Sequence, residues 1–266
     1  YEITTRLVGS EMCIRDRCLT DAQYNRDEHR KAVIDDILDN WVSQSHNGKF
    51  HAILATSSIP EAIKYYKLFA QRDCGLKTTA VFDPSDGNNE SSIEKIDGIA
   101  QMLEDYNSLF GTCFNISGYA SFKRDVCARL AHKTPYTAVE NEPSKCLDIL
   151  IVVDQMLTGY DSKWLNTLYM DKFYKWSNIE MIIQAFSRTN RVFNDDKPHG
   201  IIRYYRRPYT MKNIIEYAFE QYSGQKPYGI FVAKLIQNLE NMNAAFSDIN
   251  DIFKIAGIPD FFKTSR

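Results

Sequence analysis

"DILIVVDQMLTGYDSKWLNTLYMDK", residues 148–172, decides the fold class. Two apolar runs, 148–154 and 167–170, flank the turn Leu157-Thr158-Gly159-Tyr160-Asp161. The runs are apolar throughout rather than alternating, which is the pattern of strands covered on both faces of a parallel sheet. Runs of the same kind occur at 50–56 (FHAILAT), 78–83 (TTAVFD) and 200–205 (GIIRYY). Helical spacing fills the gaps between them. Ala62, Tyr65, Tyr66 and Phe69 share one face behind an expected capping box of Ser58 and Glu61. Ile96, Ile99, Leu103, Tyr106 and Phe110 mark a second helix, and Tyr119, Phe122, Val126 and Leu130 a third. Val33, Ile34, Ile37, Leu38 and Trp41 mark a lead-in helix. Strand and helix signals that alternate in this way predict an α/β domain, a mainly parallel sheet flanked by helices.

The bulk numbers exclude several classes. At 266 residues, 44% hydrophobic and 25% charged, the composition is that of an ordinary globular protein with room for one large or two modest domains. A formal net charge of −2 argues against a basic nucleic-acid coat, though it leaves room for a local basic patch. The six cysteines form no C-x-x-C pair and the five histidines lie far apart, so neither a metal site nor a disulfide framework is expected. No apolar run approaches the ~18 residues of a membrane span and no secretory signal is evident, so the expected location is cytoplasmic.

Four segments follow. Residues 6–17, "RLVGSEMCIRDR", resemble the conceptual translation of sequencing-adaptor DNA, with no initiator methionine before them. Residues 1–17 are therefore set aside as a non-native tail, and the natural gene is expected to extend upstream. Residues 18–49 form a lead-in helix and linker, and 50–208 the α/β domain. From 209 to 266 the strand signals stop, and amphipathic patterns at 213–223 and 229–246 predict the start of a helical domain.

Three places can carry chemistry. In "IEMIIQAFSRTNRVF", 179–193, the spacing predicts a helix with Gln184, Arg188 and Arg191 on one face. Ile179, Ile182, Ile183 and Phe186 form its buried stripe, and Ser177 with Glu180 an expected capping box. Two guanidiniums on a rigid element suit a phosphate gripped from one side. The same pattern also fits a solvated surface helix. In the turn 157–161, Gly159 permits close approach of backbone to ligand, Thr158 can bond a phosphate oxygen, and Asp161 can accept from a ribose hydroxyl. The turn is expected outside the carboxyl ends of the strands, where ligands of open α/β sheets bind. A plain turn with a helix cap is the alternative. The third place is Ala55-Thr56-Ser57-Ser58, hydroxyls at a helix N-terminus that suit a phosphate, or serve as a cap alone.

In order, "HAILATSSIPEAIKYYKLF", "LTGYDSKWLNTLYMDK" and "QAFSRTNR" resemble helicase motifs IV, V and VI of the motor subunit (HsdR) of type I restriction endonucleases. These are superfamily-2 translocases built on paired RecA-like domains. The resemblance covers about residues 20–225 and implies the second RecA-like domain. It implies that Arg188 and Arg191 reach ATP phosphates with Gln184 orienting the site, that Gly159 and Asp161 lie near the nucleotide, and that Ser57, Ser58 and Thr158 touch the DNA backbone. Ser187 stands where the general superfamily pattern has glycine, which suits the restriction-type variant.

The implied cofactors are ATP and Mg; the implied partners are double-stranded DNA and methyltransferase and specificity subunits (HsdM- and HsdS-like). No G-x-x-x-x-G-K-S/T loop and no D-E-x-H-like box is present, so the phosphate cradle and the magnesium ligand are expected on a first RecA-like domain, behind a nuclease domain. The chain alone is expected to be inactive. A type III restriction motor or repair helicase, and a non-enzymatic DNA-binding RecA-like module, are the alternatives. A Rossmann-type cofactor enzyme fits poorly, because no G-x-G-x-x-G follows a strand.

Overall fold

The computed structural model describes residues 2–4, 20–72, 74–82, 92–153, 157, 160–193 and 196–222, with 242–244, 246–247, 249 and 253 beyond them. The chain divides into two compact units, Tyr1–Tyr228 and Gly229–Arg266. In the second, the described residues are helical, and most of the amphipathic pattern expected at 229–246 lies outside the described set.

The first unit is built on a six-stranded, wholly parallel sheet. Its strands are β1 (Glu2–Thr4), β2 (His51–Thr56), β3 (Thr78–Val81), β4 (Ile149–Val152), β5 (Leu165–Asp171) and β6 (Ile201–Tyr204), in the spatial order β1-β6-β5-β2-β4-β3. All five strands expected from the apolar runs are present. The central ones, β2, β4 and β5, are buried along their whole length, which is why they do not alternate. The edge strand β1 falls within residues 1–17, set aside above as a non-native tail, yet it pairs in parallel with β6; the adaptor-like peptide 6–17 lies outside the described residues.

Parallel neighbours need crossovers, and the helices supply them. They are α1 (Asp21–Tyr24), α2 (Asp27–Gln44), α3 (Ile59–Gln71), α4 (Ser92–Phe110), α5 (Tyr119–Leu130), α6 (Ile179–Ser187) and α7 (Pro208–Tyr222). The expected stripes of α3 and α5 are buried in full, and in the lead-in helix α2 Val33, Ile34, Ile37 and Trp41 are buried. At ~1.5–3 kcal/mol for each large apolar side chain removed from water, these stripes are what hold the helices on the sheet. In α4 the stripe begins at Ile99; Ile96, three residues earlier, is 51% exposed. Helix α7 starts at Pro208, packs on α6 through Phe186 and Phe219 (ring centroids 6.2 Å apart), and belongs to the first compact unit.

Both expected capping boxes are corrected. Ser58 does cap α3, its Oγ accepting from the Glu61 amide at 3.4 Å, but the Glu61 carboxylate is buried and turned to Arg30 instead of to the cap. Helix α6 starts after a 3₁₀ turn, Trp176–Asn178, with Asn178 at the cap and no side-chain capping bond; the Ser177 hydroxyl donates to Asn178 Oδ1 at 3.0 Å.

Candidate functional site

Because the sheet is parallel, α6 must run from the carboxyl end of β5 back to the amino end before β6 can begin. It stops at Ser187, so Arg188 is its C-cap and Arg191 lies beyond it. The expected single helical face for Gln184, Arg188 and Arg191 is therefore corrected. Thr189 ends the regular turn: it is fully buried, its hydroxyl donates to the Phe186 carbonyl at 3.1 Å, and Gly200 packs directly on it. Gln184 is exposed, one turn before Arg188.

The two arginines nevertheless converge by a different route. Arg188 donates from Nε to the Leu157 carbonyl (3.3 Å) and from Nη1 to the Tyr160 carbonyl (3.2 Å). Arg191 Nε meets Asp161 Oδ1 at 2.6 Å, with the two side chains 54% and 52% exposed. Leu157, Tyr160 and Asp161 and the segment after α6 thus form one cluster holding Asp161, Arg188 and Arg191. Thr158 and Gly159 lie outside the described residues.

The cluster stands at the amino edge of the sheet, not the carboxyl edge expected for the turn. Tyr160 shares a 3.1 Å hydrogen bond with His51 Nε2, at the first residue of β2, and the carbonyl of Trp164, just before β5, accepts from the His51 amide. The turn follows β4 yet has already crossed back towards the start of β5. Burial first, with the neighbouring His132 and Lys197 adding to it, holds the His51 imidazole well below its ordinary pKa, so it is neutral. On this edge an open groove of about 670 Å³ is lined by Lys49, Lys77, His132, Asp148, Trp164 and Phe193. Lys49 and Lys163 lie over the Phe193 ring at 5.2 and 4.8 Å, and Lys49 is also paired with Asp196 at 2.5 Å.

Ser57 and Ser58 stand at the opposite, carboxyl edge, directly after β2. Ser57 is exposed and Ser58 half-buried at its cap. The structure therefore separates the expected site residues: Asp161, Arg188 and Arg191 together at one edge, the serines at the other. Among the described residues no group of three or more His, Cys, Asp or Glu is placed to hold a metal, and no helix is long and apolar enough to cross a membrane.

Beneath the serine edge lies a buried ionic network that the sequence reading missed. Asp171, the last residue of β5 and fully buried, accepts from Arg206 Nε and Nη2 (both 3.0 Å) and from the Tyr65 hydroxyl (2.9 Å), and contacts His29 Nε2 at 2.7 Å. Burial alone would raise its pKa; the hydrogen bonds and charge of His29 and Arg206 outweigh that and hold it below the usual carboxylate value. Arg30 is gripped bidentately by Glu61 (2.8 and 2.6 Å) and by Asp27 (2.6 Å), and Arg206 also reaches Asn25 Oδ1 at 3.1 Å. A third buried pair, Arg203 with Asp36 at 2.9 Å, ties β6 to α2. Nothing in the local pattern marks these residues, because each sits where a surface charge is the ordinary reading.

Comparison with known proteins gives the family. Residues 48–207 match the family described as Type I restriction enzyme subunit R domain 3. The chain is 33% identical over 196 residues to the Type I restriction enzyme SsaAORF53P endonuclease subunit of Staphylococcus saprophyticus, covering 70% of this chain and 20% of that protein. It is 31% identical over 195 residues to the SauMRSORF196P endonuclease subunit of Staphylococcus aureus strain MRSA252, with the same coverage. A shorter stretch of 60 residues is 42% identical to the HindI endonuclease subunit of Haemophilus influenzae, 22% of this chain and 5% of that protein. The chain spans about a fifth of the length of the first two. Its parallel RecA-like α/β sheet and the match across 48–207 lead to one conclusion: the chain belongs to the family of type I restriction enzyme R subunits, in the region of their domain 3.

Proposed function

We propose that this chain is the second RecA-like half of an ATP-dependent double-stranded DNA translocase, working within a type I restriction-modification assembly with methyltransferase and specificity subunits. The observation that carries the reading is the convergence of Asp161, Arg188 and Arg191 at the amino edge. Arg191 already holds an anion there, the Asp161 carboxylate, in an exposed pair that a phosphate can replace. Arg188 is held by two carbonyls, so its guanidinium is pre-oriented at little entropic cost. The donor set fits a polyphosphate presented from outside this domain.

In the mechanism, ATP with Mg supplies the phosphoryl group whose transfer drives movement. Arg188 and Arg191 stabilise the charge that spreads over that group, a contribution worth roughly 10³–10⁵ in rate for a well-placed arginine finger. Gln184 orients the site and Asp161 faces the nucleotide, with Gly159 given the same role by the resemblance. Ser57, Ser58 and Thr158 contact the DNA backbone, which carries no sequence information and suits a motor that moves over any sequence. The phosphate cradle and magnesium ligands belong to a first RecA-like domain, so the 266 residues alone do not turn ATP over.

The test is DNA-stimulated ATP hydrolysis by the complete subunit carrying Arg188→Ala or Arg191→Ala. Loss of turnover with DNA binding retained supports the reading. Wild-type turnover in both variants, or turnover by the 266-residue chain alone that is lost on Arg188→Ala, contradicts it.

A further inference from the structure

Lys197 is the most deeply buried lysine among the described residues, 1% exposed, yet it meets no carboxylate among them. Its Nζ donates to two backbone carbonyls, Arg191 at 2.6 Å and Lys163 at 3.1 Å. Taking an ammonium out of water without a counter-ion is costly, and burial pushes this one down to about 8. A methionine would fill the same space without that cost, so the charge has a local use.

Its two acceptors show what that use is. One is the carbonyl of Arg191; the other lies two residues beyond Asp161, the partner of Arg191. The segment is fastened twice more, by the Phe193 amide donating to the Lys197 carbonyl at 3.3 Å and by Gly200 packed on Thr189. The Phe193 ring rests on Trp164, with centroids 4.5 Å apart. Arg191 lies past the end of α6, where no helical hydrogen bonds fix it, and this set of contacts takes their place.

We propose that Lys197 is a positioning residue: by bridging the Lys163 and Arg191 backbones it sets the separation of Asp161 and Arg191, and so the aim of the arginine. The catalytic part of this inference rests on the motor reading above; the geometric part does not.

Two measurements test it, and they separate its failure from that of the motor reading. In the complete subunit, Lys197→Met lowers kcat for DNA-stimulated ATP hydrolysis roughly tenfold to a hundredfold, as expected for a misaimed group. KM for ATP changes by less than about threefold, and Lys197→Met added to Arg191→Ala causes no further loss. Lys197→Gln, which keeps an N–H donor, recovers part of the rate and serves as the milder variant for folding. An unchanged kcat in Lys197→Met, or a loss that multiplies with that of Arg191→Ala, overturns the proposal.

The second measurement is amide hydrogen exchange in the 266-residue chain, which needs no activity. Lys197→Met speeds exchange across 161–165 and 189–193 and leaves β2 and β4 unchanged. Unaltered protection in those two segments overturns the proposal on its own, whereas wild-type turnover in Arg191→Ala counts against the motor reading alone.

Discussion

Replacing Asp171 by Asn keeps the shape of the side chain and removes one charge from the centre of a buried network. The carboxylate is fully buried and meets four groups: Arg206 Nε, Arg206 Nη2, the Tyr65 hydroxyl and His29 Nε2. An amide has one acceptor oxygen and turns its NH₂ towards at least one group that is itself a donor. Arg206, also buried, is left with only the Glu61 carboxylate, at 3.9 Å and already shared with Arg30, against its charge. Removing one partner of a buried pair costs about 3–5 kcal/mol. For a domain of this size each 1 kcal/mol moves Tm by about 2–4 °C, so Asp171→Asn is expected to melt roughly 6–20 °C lower.

Calorimetry or urea unfolding of the 266-residue chain measures this. The double variant Asp171→Leu with Arg206→Met, which removes both charges, should recover most of the loss. The pH dependence gives an independent sign. The folded pKa of Asp171 lies below its ordinary 3.8, so its stabilisation is fully present above that value and is lost as pH falls through the lower folded value. The gap between wild type and Asp171→Asn therefore closes in acid. A loss under about 1 kcal/mol at neutral pH, or a gap that widens on acidification, refutes the reasoning.

Three further outcomes are expected. Arg191→Ala should leave Tm within about 2–4 °C of wild type, because a half-exposed ion pair is worth at most about 1 kcal/mol, while lowering turnover in the complete subunit roughly a thousandfold to a still measurable rate; a large drop in Tm would mean that the arginine is structural. Gly200→Ala places a Cβ 2.4 Å from the Thr189 side chain and 2.5 Å from its carbonyl oxygen, so urea unfolding should show a loss of about 1–3 kcal/mol from overpacking. Lys197 releases its proton at about 8 when folded and near 10.5 when unfolded, so the unfolded chain binds more protons between those values. Wild-type stability should then rise with pH across that window relative to Lys197→Met, and a flat difference in chemical denaturation would show that the lysine is not buried in solution.

The fold was legible because it rests on local repetition. Five runs of uniformly apolar residues and the 3.6-residue stripes of α3 and α5 need only neighbours in sequence to be read. The site was legible in identity but not in place. The spacing of Gln184, Arg188 and Arg191 implied a helix long enough to carry all three, but a buried Thr189 packed on Gly200 stops α6 at Ser187. The turn at 157–161 follows a strand, which pointed to the carboxyl edge, while the bond of Tyr160 to His51 draws it to the amino edge. Asp171, Arg206, Glu61 and Arg30 were invisible for another reason. A charge declares itself buried only through its partner, and these partners come from α2, α3, β5 and the end of β6.

Helix α6 has a mechanical consequence. It begins eight residues after Asp171, at the edge that carries Ser57 and Ser58, and ends at Ser187, with its C-cap Arg188 on the edge that carries Asp161 and Arg191. Its nine residues form a strut of ~14 Å whose hydrogen-bonded turns resist both stretching and shortening. Clamped at one end by the carbonyls of Leu157 and Tyr160 and embedded along its length through Ile182, Ala185 and Phe186, it has little freedom to bend. The two edges are therefore joined by a single stiff element, as a connecting rod joins a piston to a crank.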